Sequence, residues 1–264
     1  MKIAVFTSNQ PRHTALIESL ATVADEVFAI RECTTILPGQ VQDFFNKSPI
    51  MQDYFSRVIA AEQKVFGQPR FTPAHVHTLD MRMGDLSLLD PKLLESALAC
   101  DLIIVFGASY IRGPLCDRLV HRRAINIHMG ISPQYRGSST NFWAMYDKRP
   151  HLVGATIHLL SSGLDSGPML FHALPPVAEY EPFELGMVAV QSAHRALIEH
   201  IRQGTLGRIS PTSQNRGNEI RYTRNTDFTD AVAQEYLSRL PSPASIKASL
   251  AGRRDNAYLR PLAA

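Results

Sequence analysis

Short apolar runs at residues 2–7, 26–30, 102–106 and 124–128 alternate with stretches whose apolar residues recur at helical spacing. Runs of that length suit buried strands, and strands separated by helices are the pattern of a parallel α/β sheet. The opening shows it most clearly. Residues 2–7 read as a strand, and the polar turn 8–12 leads into a helix with Ala15, Leu16, Leu20 and Ala21 on one face. Residues 26–30 read as the next strand. Further strands are expected around Val76 and over 154–160, with helices over 91–99, 141–146 and 184–202. Leu185, Val188, Ala189, Ala193, Leu197 and Ile201 give the last helix a continuous apolar stripe. The expected fold class is α/β: Rossmann-like, with a mostly parallel central sheet.

Two segments stand outside that alternation. Residues 40–66 are helical in pattern and punctuated by Pro38, Gly39 and Gly67; Phe44, Phe45, Met51, Phe55, Val58, Ile59 and Val65 fit an inserted amphipathic pair of helices. Beyond residue 205, Arg, Asn, Thr and Pro rise and the apolar runs shorten. The chain therefore divides into a main domain, 1–205, and a small C-terminal appendage or tail, 206–264. Within the tail, residues 219–225 alternate like a strand, and Arg221 fits either a carboxylate partner or a nucleotide.

Composition narrows the function classes. A hydrophobic share of 45% supports a full core. A net charge of +3 suits a small anionic ligand and makes nucleic acid an unfavoured partner, since binding it recruits many cations. Three scattered cysteines, Cys33, Cys100 and Cys116, fit a reducing compartment rather than a disulfide framework. The first apolar run is too short for a signal peptide, and no apolar stretch reaches membrane-spanning length. The expectation is a cytoplasmic protein with no membrane partner. No GxGxxG follows the first strand, which disfavours a dinucleotide-dependent oxidoreductase. His75 and His77 share a strand face without a third ligand at a recognisable spacing, so no metal is expected.

The chemistry concentrates in residues 125–137, INIHMGISPQYRG. Side chains alternate along a strand, so Ile125 and Ile127 point one way and Asn126 and His128 the other. A glycine-containing loop follows at once, which puts an amide and an imidazole at the carboxyl end of a parallel strand. Open α/β sheets bind their ligands there. The amide can donate to a developing oxyanion and the imidazole can move a proton. Asp165 lies in a glycine-flanked turn after the strand that carries His158, and a carboxylate beside His128 would raise its pKa. The same residues also fit a turn cap and a hydrogen-bonded, half-buried histidine.

N-I-H-x-G-x-x-P-x-Y-R-G, followed by G-A-T-I-H-L-L-S-S-G-L-D-S-G-P, resembles the signature of the folate-dependent formyltransferases. The glycinamide-ribonucleotide, methionyl-tRNA and sugar-nucleotide enzymes belong to that family. The likeness runs over residues 100–175. It implies a catalytic triad of Asn126, His128 and Asp165, with His158 in support, inside a 1–205 catalytic domain. It implies 10-formyltetrahydrofolate as formyl donor, held against two loops. Ser109, Tyr110, Ile111, Leu160, Gly163 and Leu164 are then the cofactor-binding candidates. Under this reading an amine attacks the formyl carbon, Asn126 and His128 stabilise the charge on oxygen, and Asp165 keeps His128 protonated.

The acceptor is less legible. The purine enzymes usually carry a glycine-rich loop after the first strand, and here that stretch is TSNQPRH. The methionyl-tRNA enzymes continue into a separate basic domain. A core with a helical insert and a short Arg-rich tail most resembles the sugar enzymes, which formylate a GDP- or dTDP-linked 4-amino-4,6-dideoxyhexose for surface polysaccharide or O-antigen. Asn9, Arg12, Tyr135, Arg136 and Trp143 are the substrate-binding candidates, with Tyr135 and Trp143 equally fitting as core aromatics and Arg136 as a salt-bridge partner. A homodimer is the expectation by analogy with the sugar enzymes. The reading from a different class is a non-catalytic folate- or nucleotide-binding module.

Overall fold

The computed structural model describes residues 1–34, 44, 47–68, 72–253 and 258. Strands β1 (Lys2–Ser8), β2 (Glu26–Cys33), β3 (Val76–Arg82), β4 (Leu102–Val105) and β5 (Ile125–His128) run parallel, joined through helices α1 (Pro11–Ala21), α2 (Pro49–Phe66), α3 (Glu95–Leu98) and α4 (Gly113–His121). After β5 come β6 (Tyr135–Gly137), α5 (Thr140–Tyr146), β7 (Ala155–Leu159), β8 (Met169–Ala173) and α6 (Pro182–Arg202). The tail holds β9 (Arg221–Thr223), α7 (Asp230–Ser238) and α8 (Pro243–Ala251). The main sheet has the order β3-β2-β1-β4-β5-β7-β8, with β7 and β8 antiparallel at one end.

The strand period of two sorts the core into layers. Ile3 and Val5 enter one buried cluster with Leu16 and Leu20 of α1 and Ala193 and Leu197 of α6. Ala4 and Phe6 enter the other with Ala97 and Leu98 of α3 and Leu115 and Leu119 of α4. Helices thus cover both faces, and the strand order reverses at β1, whose neighbours are β2 and β4. The crevice at the carboxyl ends of β1 and β4 is where such a sheet binds ligand.

Among the described residues, the expected insert over 40–66 contributes the helix α2. Ser48 caps it by accepting from the Met51 amide, and Pro49 opens its first turn. Residues 40–43, 45 and 46 of that expectation lie outside the described residues. The helix expected over 91–99 is a 3-10 turn, Pro91–Leu94, followed by the four-residue α3. The tail is richer in helix than its composition suggests. Thr229 and Ser242 cap α7 and α8, and Ala233, Tyr236, Ile246 and Leu250 join Tyr54, Trp143 and Leu185 in a third buried cluster.

Candidate active site

The register of β5 against β7 assembles the centre. Asn126 pairs with His158 and His128 with Thr156 across this antiparallel ladder, so all four side chains share one face. The Asn126 amide nitrogen lies 3.0 Å from His158 Nε2 and 3.4 Å from Asp165 Oδ1. His158 Nδ1–H donates to the Leu159 carbonyl at 2.8 Å, which leaves Nε2 bare to accept from Asn126. Burial, aided by the charge on His128, pushes His158 down to about 4, so this ring stays neutral.

His128 is the opposite case. Its Nδ1 lies 3.3 Å from Asp165 Oδ1 and its Nε2 lies 3.2 Å from the Tyr135 carbonyl oxygen. Both partners are acceptors, so the doubly protonated ring satisfies both. Burial opposes that charge, but the Asp165 carboxylate and its hydrogen bond outweigh burial, and the His128 pKa moves up. Burial likewise pushes Asp165 up, and the His128 charge overrides it and holds the carboxyl below its ordinary value. The result is a buried imidazolium–carboxylate pair beside an amide whose longer bond, to Asp165, leaves one N–H loosely engaged.

Asp165 sits at φ 45°, in the left-handed region, which costs a non-glycine residue roughly 1–2 kcal/mol. The loop is held there from outside. Arg136 donates to the carbonyls of Asp165 (3.4 Å) and Leu164 (3.1 Å) while pairing with Glu219 at 3.0 Å. Gln214 donates to the Asp165 and Gly167 carbonyls at 2.8 and 2.9 Å. Two tail residues, Gln214 and Glu219, thereby brace the turn that carries the carboxylate.

These groups open on a cavity of about 830 Å³. Ser109, Tyr110, Ile111, Leu160, Gly163 and Leu164 all line it, together with Asn126, His128, His158 and Asp165. Gly107 turns the chain out of β4 at φ 65°, and a Cβ there would lie 2.4 Å from the His13 ring. The Tyr110 hydroxyl donates to the Ser162 carbonyl at 2.9 Å and ties the two lining loops together.

Glu32 at the end of β2 is a residue the sequence reading passed over. It is fully buried and accepts from the Ser109 amide (2.6 Å), the Ser109 hydroxyl (2.8 Å) and the amides of Gly84 (2.8 Å) and Leu86 (3.3 Å). The signal was a carboxylate in a strand that is otherwise largely apolar, which burial demands be paired. Glu32→Gln puts an N–H where the site needs acceptors. It should cost about 1–3 kcal/mol of stability, read from denaturant midpoints.

The acceptor candidates fare differently. Arg12 lines the cavity, but its guanidinium is bonded at 2.8 Å to the buried Glu62 carboxylate. Asn9, Tyr135, Arg136 and Trp143 are not part of the wall. Asn9 exchanges hydrogen bonds with the Thr34 backbone. Tyr135 is buried and donates to Asp147, which also takes a two-point bond from Arg221 at 2.6 and 3.0 Å. The Arg221 guanidinium in turn lies over the buried Trp143 ring, 4.7 Å from its centre. Arg221 therefore has a carboxylate partner within the fold. Of the histidines once weighed as metal ligands, His75 bonds the Ala21 carbonyl and His77 stacks on Phe28.

Comparison with known proteins places this geometry. The family described as formyl transferase matches residues 62–201, more than half of the chain. The chain belongs to the formyl transferase family. Methionyl-tRNA formyltransferase from Synechococcus sp. (strain JA-3-3Ab) is 28% identical over 156 residues, 58% of this chain and 48% of that protein. That from Thermosynechococcus vestitus is 36% identical over 83 residues, 31% of this chain and 25% of that one. This chain spans about half the length of the first of these and a quarter of the second. Among solved structures, the formyltransferase PseJ from Anoxybacillus kamchatkensis, in complex with UDP-4,6-dideoxy-4-formamido-L-AltNAc and tetrahydrofolate, superposes with a TM-score of 0.52 at 18% identity. It covers 95% of this chain and 100% of its own. Glycinamide ribonucleotide transformylase 1 from Symbiobacterium toebii superposes with a TM-score of 0.51 at 19% identity, covering 84% and 93%. The fold is shared with both. Among the described residues, no helix is long and apolar enough to cross a membrane.

Proposed function

We propose that this chain is an N-formyltransferase that moves the formyl group of 10-formyltetrahydrofolate to a primary amine. The observation that carries this reading is the Asn126–His128–Asp165 cluster in the wall of one large cavity. The residues present fit the folate. About 830 Å³ lies within the roughly 300–1,000 Å³ usual for such sites, and the flanking loops offer backbone groups at residues 107–111 and 160–165. When bound, the folate supplies an activated formyl group.

The residues then divide the work. The Asn126 N–H now turned loosely toward Asp165, together with the His128 imidazolium, stabilises negative charge developing on the formyl oxygen. Asp165 holds the proton on His128 Nδ1 through the charge pair. His158, neutral, fixes the rotation of the Asn126 amide. Ser109, Tyr110, Ile111, Leu160, Gly163 and Leu164 would hold the cofactor. As the new C–N bond forms, the bond between the formyl carbon and the donor's nitrogen must break, the amine must lose a proton and the departing nitrogen must gain one; Asp165, the carboxylate lining the cavity, would pass that proton between them without net change to its pair with His128.

For the acceptor, the names of PseJ and of a Helicobacter canadensis N-formyltransferase bound to folinic acid and dTDP-3-aminofucose support a nucleotide-linked amino sugar. The methionyl-tRNA relatives support an aminoacyl amine. Incubation with 10-formyltetrahydrofolate and a panel of amines tests the function: tetrahydrofolate release should depend on an amine and yield its formamide. Tight folate binding without transfer to any amine would instead support a binding module.

A further inference from the structure

The turn that carries Asp165 has little packing of its own. Ser162, Gly163 and Leu164 are exposed, and Asp165 holds a left-handed φ of 45°. A strained residue in an exposed turn keeps its geometry only where bonds from outside over-determine it. The stem of the turn closes where the Leu159 amide donates to the Pro168 carbonyl at 2.9 Å. The first half is tied to the neighbouring cavity loop by the Tyr110 hydroxyl on the Ser162 carbonyl. The second half, which bears the carboxylate, is held by the tail.

The tail reaches it by a short route. Thr212 exchanges two backbone hydrogen bonds with Met169, each 2.8 Å, and so pairs with the start of β8. Two residues on, the Gln214 amide group places one bond on the Asp165 carbonyl and one on the Gly167 carbonyl. Oε1 of the same side chain has no partner among the described residues, so the two donated bonds are what fix this amide. Glu219 acts through Arg136, whose guanidinium it pairs at 3.0 Å and which donates to the Leu164 and Asp165 carbonyls. The Ile220 and Arg221 amides donate to the Gln134 carbonyl at 2.8 and 3.1 Å, which keeps Glu219 within reach. Gln214 and Glu219 both lie beyond residues 62–201, the stretch that the family match covers.

Resting on the formyl-transfer reading, we propose that Gln214 and Glu219 are positioning residues: the tail fixes the Asp165 carboxylate at His128 and thereby sets the rate of the chemical step. The charge pair spans 3.3 Å, and a misplacement of about 1 Å can cost roughly a hundredfold in rate. The tail is then needed for turnover more than for holding the folate, because Tyr110 ties the other half of the turn.

The test uses the full chain with Gln214→Met, which keeps the length of the side chain, adds no charge and removes both N–H donors. With 10-formyltetrahydrofolate and an amine that the wild-type chain formylates, kcat should fall roughly tenfold or more. KM for the amine and tetrahydrofolate binding should change little. Glu219→Gln, at a largely exposed position, should lower kcat by a smaller factor. Both losses should be largely absent in the Asp165→Asn background, because each residue acts through that carboxylate. A residue that merely supports the fold would lower kcat there too. Circular dichroism reports folding; should Gln214→Met not fold, Glu219→Gln decides by the same cycle. A second readout needs no turnover. The charged and titratable groups around His128 are Asp165, His158, His172 and Arg136, and Asp165 is the one that Gln214 contacts. In Gln214→Met the His128 ring, followed by NMR of histidine-labelled protein and assigned with His128→Ala, should titrate lower than in the wild type. Unchanged kcat in folded Gln214→Met would overturn the inference. So would an equal loss in the Asp165→Asn background, or a His128 titration identical to wild type. Absence of transfer to every amine by the wild-type chain would overturn formyl transfer, and the kinetic role of the tail with it.

Discussion

Asp165→Asn should lower kcat by roughly a hundred- to a thousandfold, the loss typical when one element of charge stabilisation is removed from an oxyanion site. The side chain keeps its shape, so the loop should still be held by Arg136 and Gln214 through the Asp165 backbone carbonyl. What disappears is the negative charge 3.3 Å from His128 Nδ1. Burial then acts on His128 without its counterweight, and the ring loses the upward shift that keeps it an imidazolium. His128→Ala should lose a similar amount by removing the positive charge itself. The two changes should not add fully, because they break one pair. Folate binding, proposed for the loops at 107–111 and 160–165, should change little in either variant. Steady-state kinetics with a tetrahydrofolate-binding control checks both.

The second large effect is on acid stability. His158 and His172 are buried and pushed down to about 4, and His194 to about 3, in each case chiefly by burial. Unfolded, each titrates near 6.5. Between those values the unfolded chain binds protons that the folded chain refuses, so stability falls as pH falls. At pH 5 each ring costs about 2 kcal/mol relative to pH 7.5, roughly 6 kcal/mol for the three. His128 works the other way. Its folded pKa is raised, so its contribution is present below 6.5 and fades as pH rises through the folded value. It offsets part of the loss. Asp165, depressed in the fold, loses its contribution only as pH drops through that lowered value. Urea midpoints should therefore fall steeply from pH 7 to pH 5. His194→Phe should flatten the slope by about one ring's share, since His194 Nε2 has no hydrogen-bond partner among the described residues and the ring packs against Phe66 and Phe106. An unchanged slope in that variant would exclude His194 as a contributor.

The parallel core was legible because buried strands and amphipathic helices write their periods directly into sequence. The polar centre was legible for a related reason. Asn126 and His128 break an apolar strand, and a buried break needs a purpose. What stayed hidden is non-local. Strands β6 and β9 are three residues each and exist only because Tyr135 faces Arg221 and Gly137 faces Thr223 across about a third of the chain. Strand β8, Met169–Ala173, is buried along its whole length, so it shows no alternation to mark it as a strand. Helices α7 and α8 did carry capping signals at Thr229 and Ser242, but tail composition masked them. Arg136 and Glu32 show the limit from the other side. Nothing local distinguishes an arginine that grips a ligand from one that braces Asp165, and a carboxylate in a largely apolar strand signals pairing without naming the four donors that Glu32 gathers.

The most direct measurement is a single turnover with the formyl carbon of 10-formyltetrahydrofolate isotopically labelled and a formylatable amine in excess. Label should pass from the folate to the amide product at a rate that collapses in Asp165→Asn while the folate remains bound. Transfer at the wild-type rate in that variant, or label that stays on the folate with every amine offered, would contradict the roles given to Asn126, His128 and Asp165.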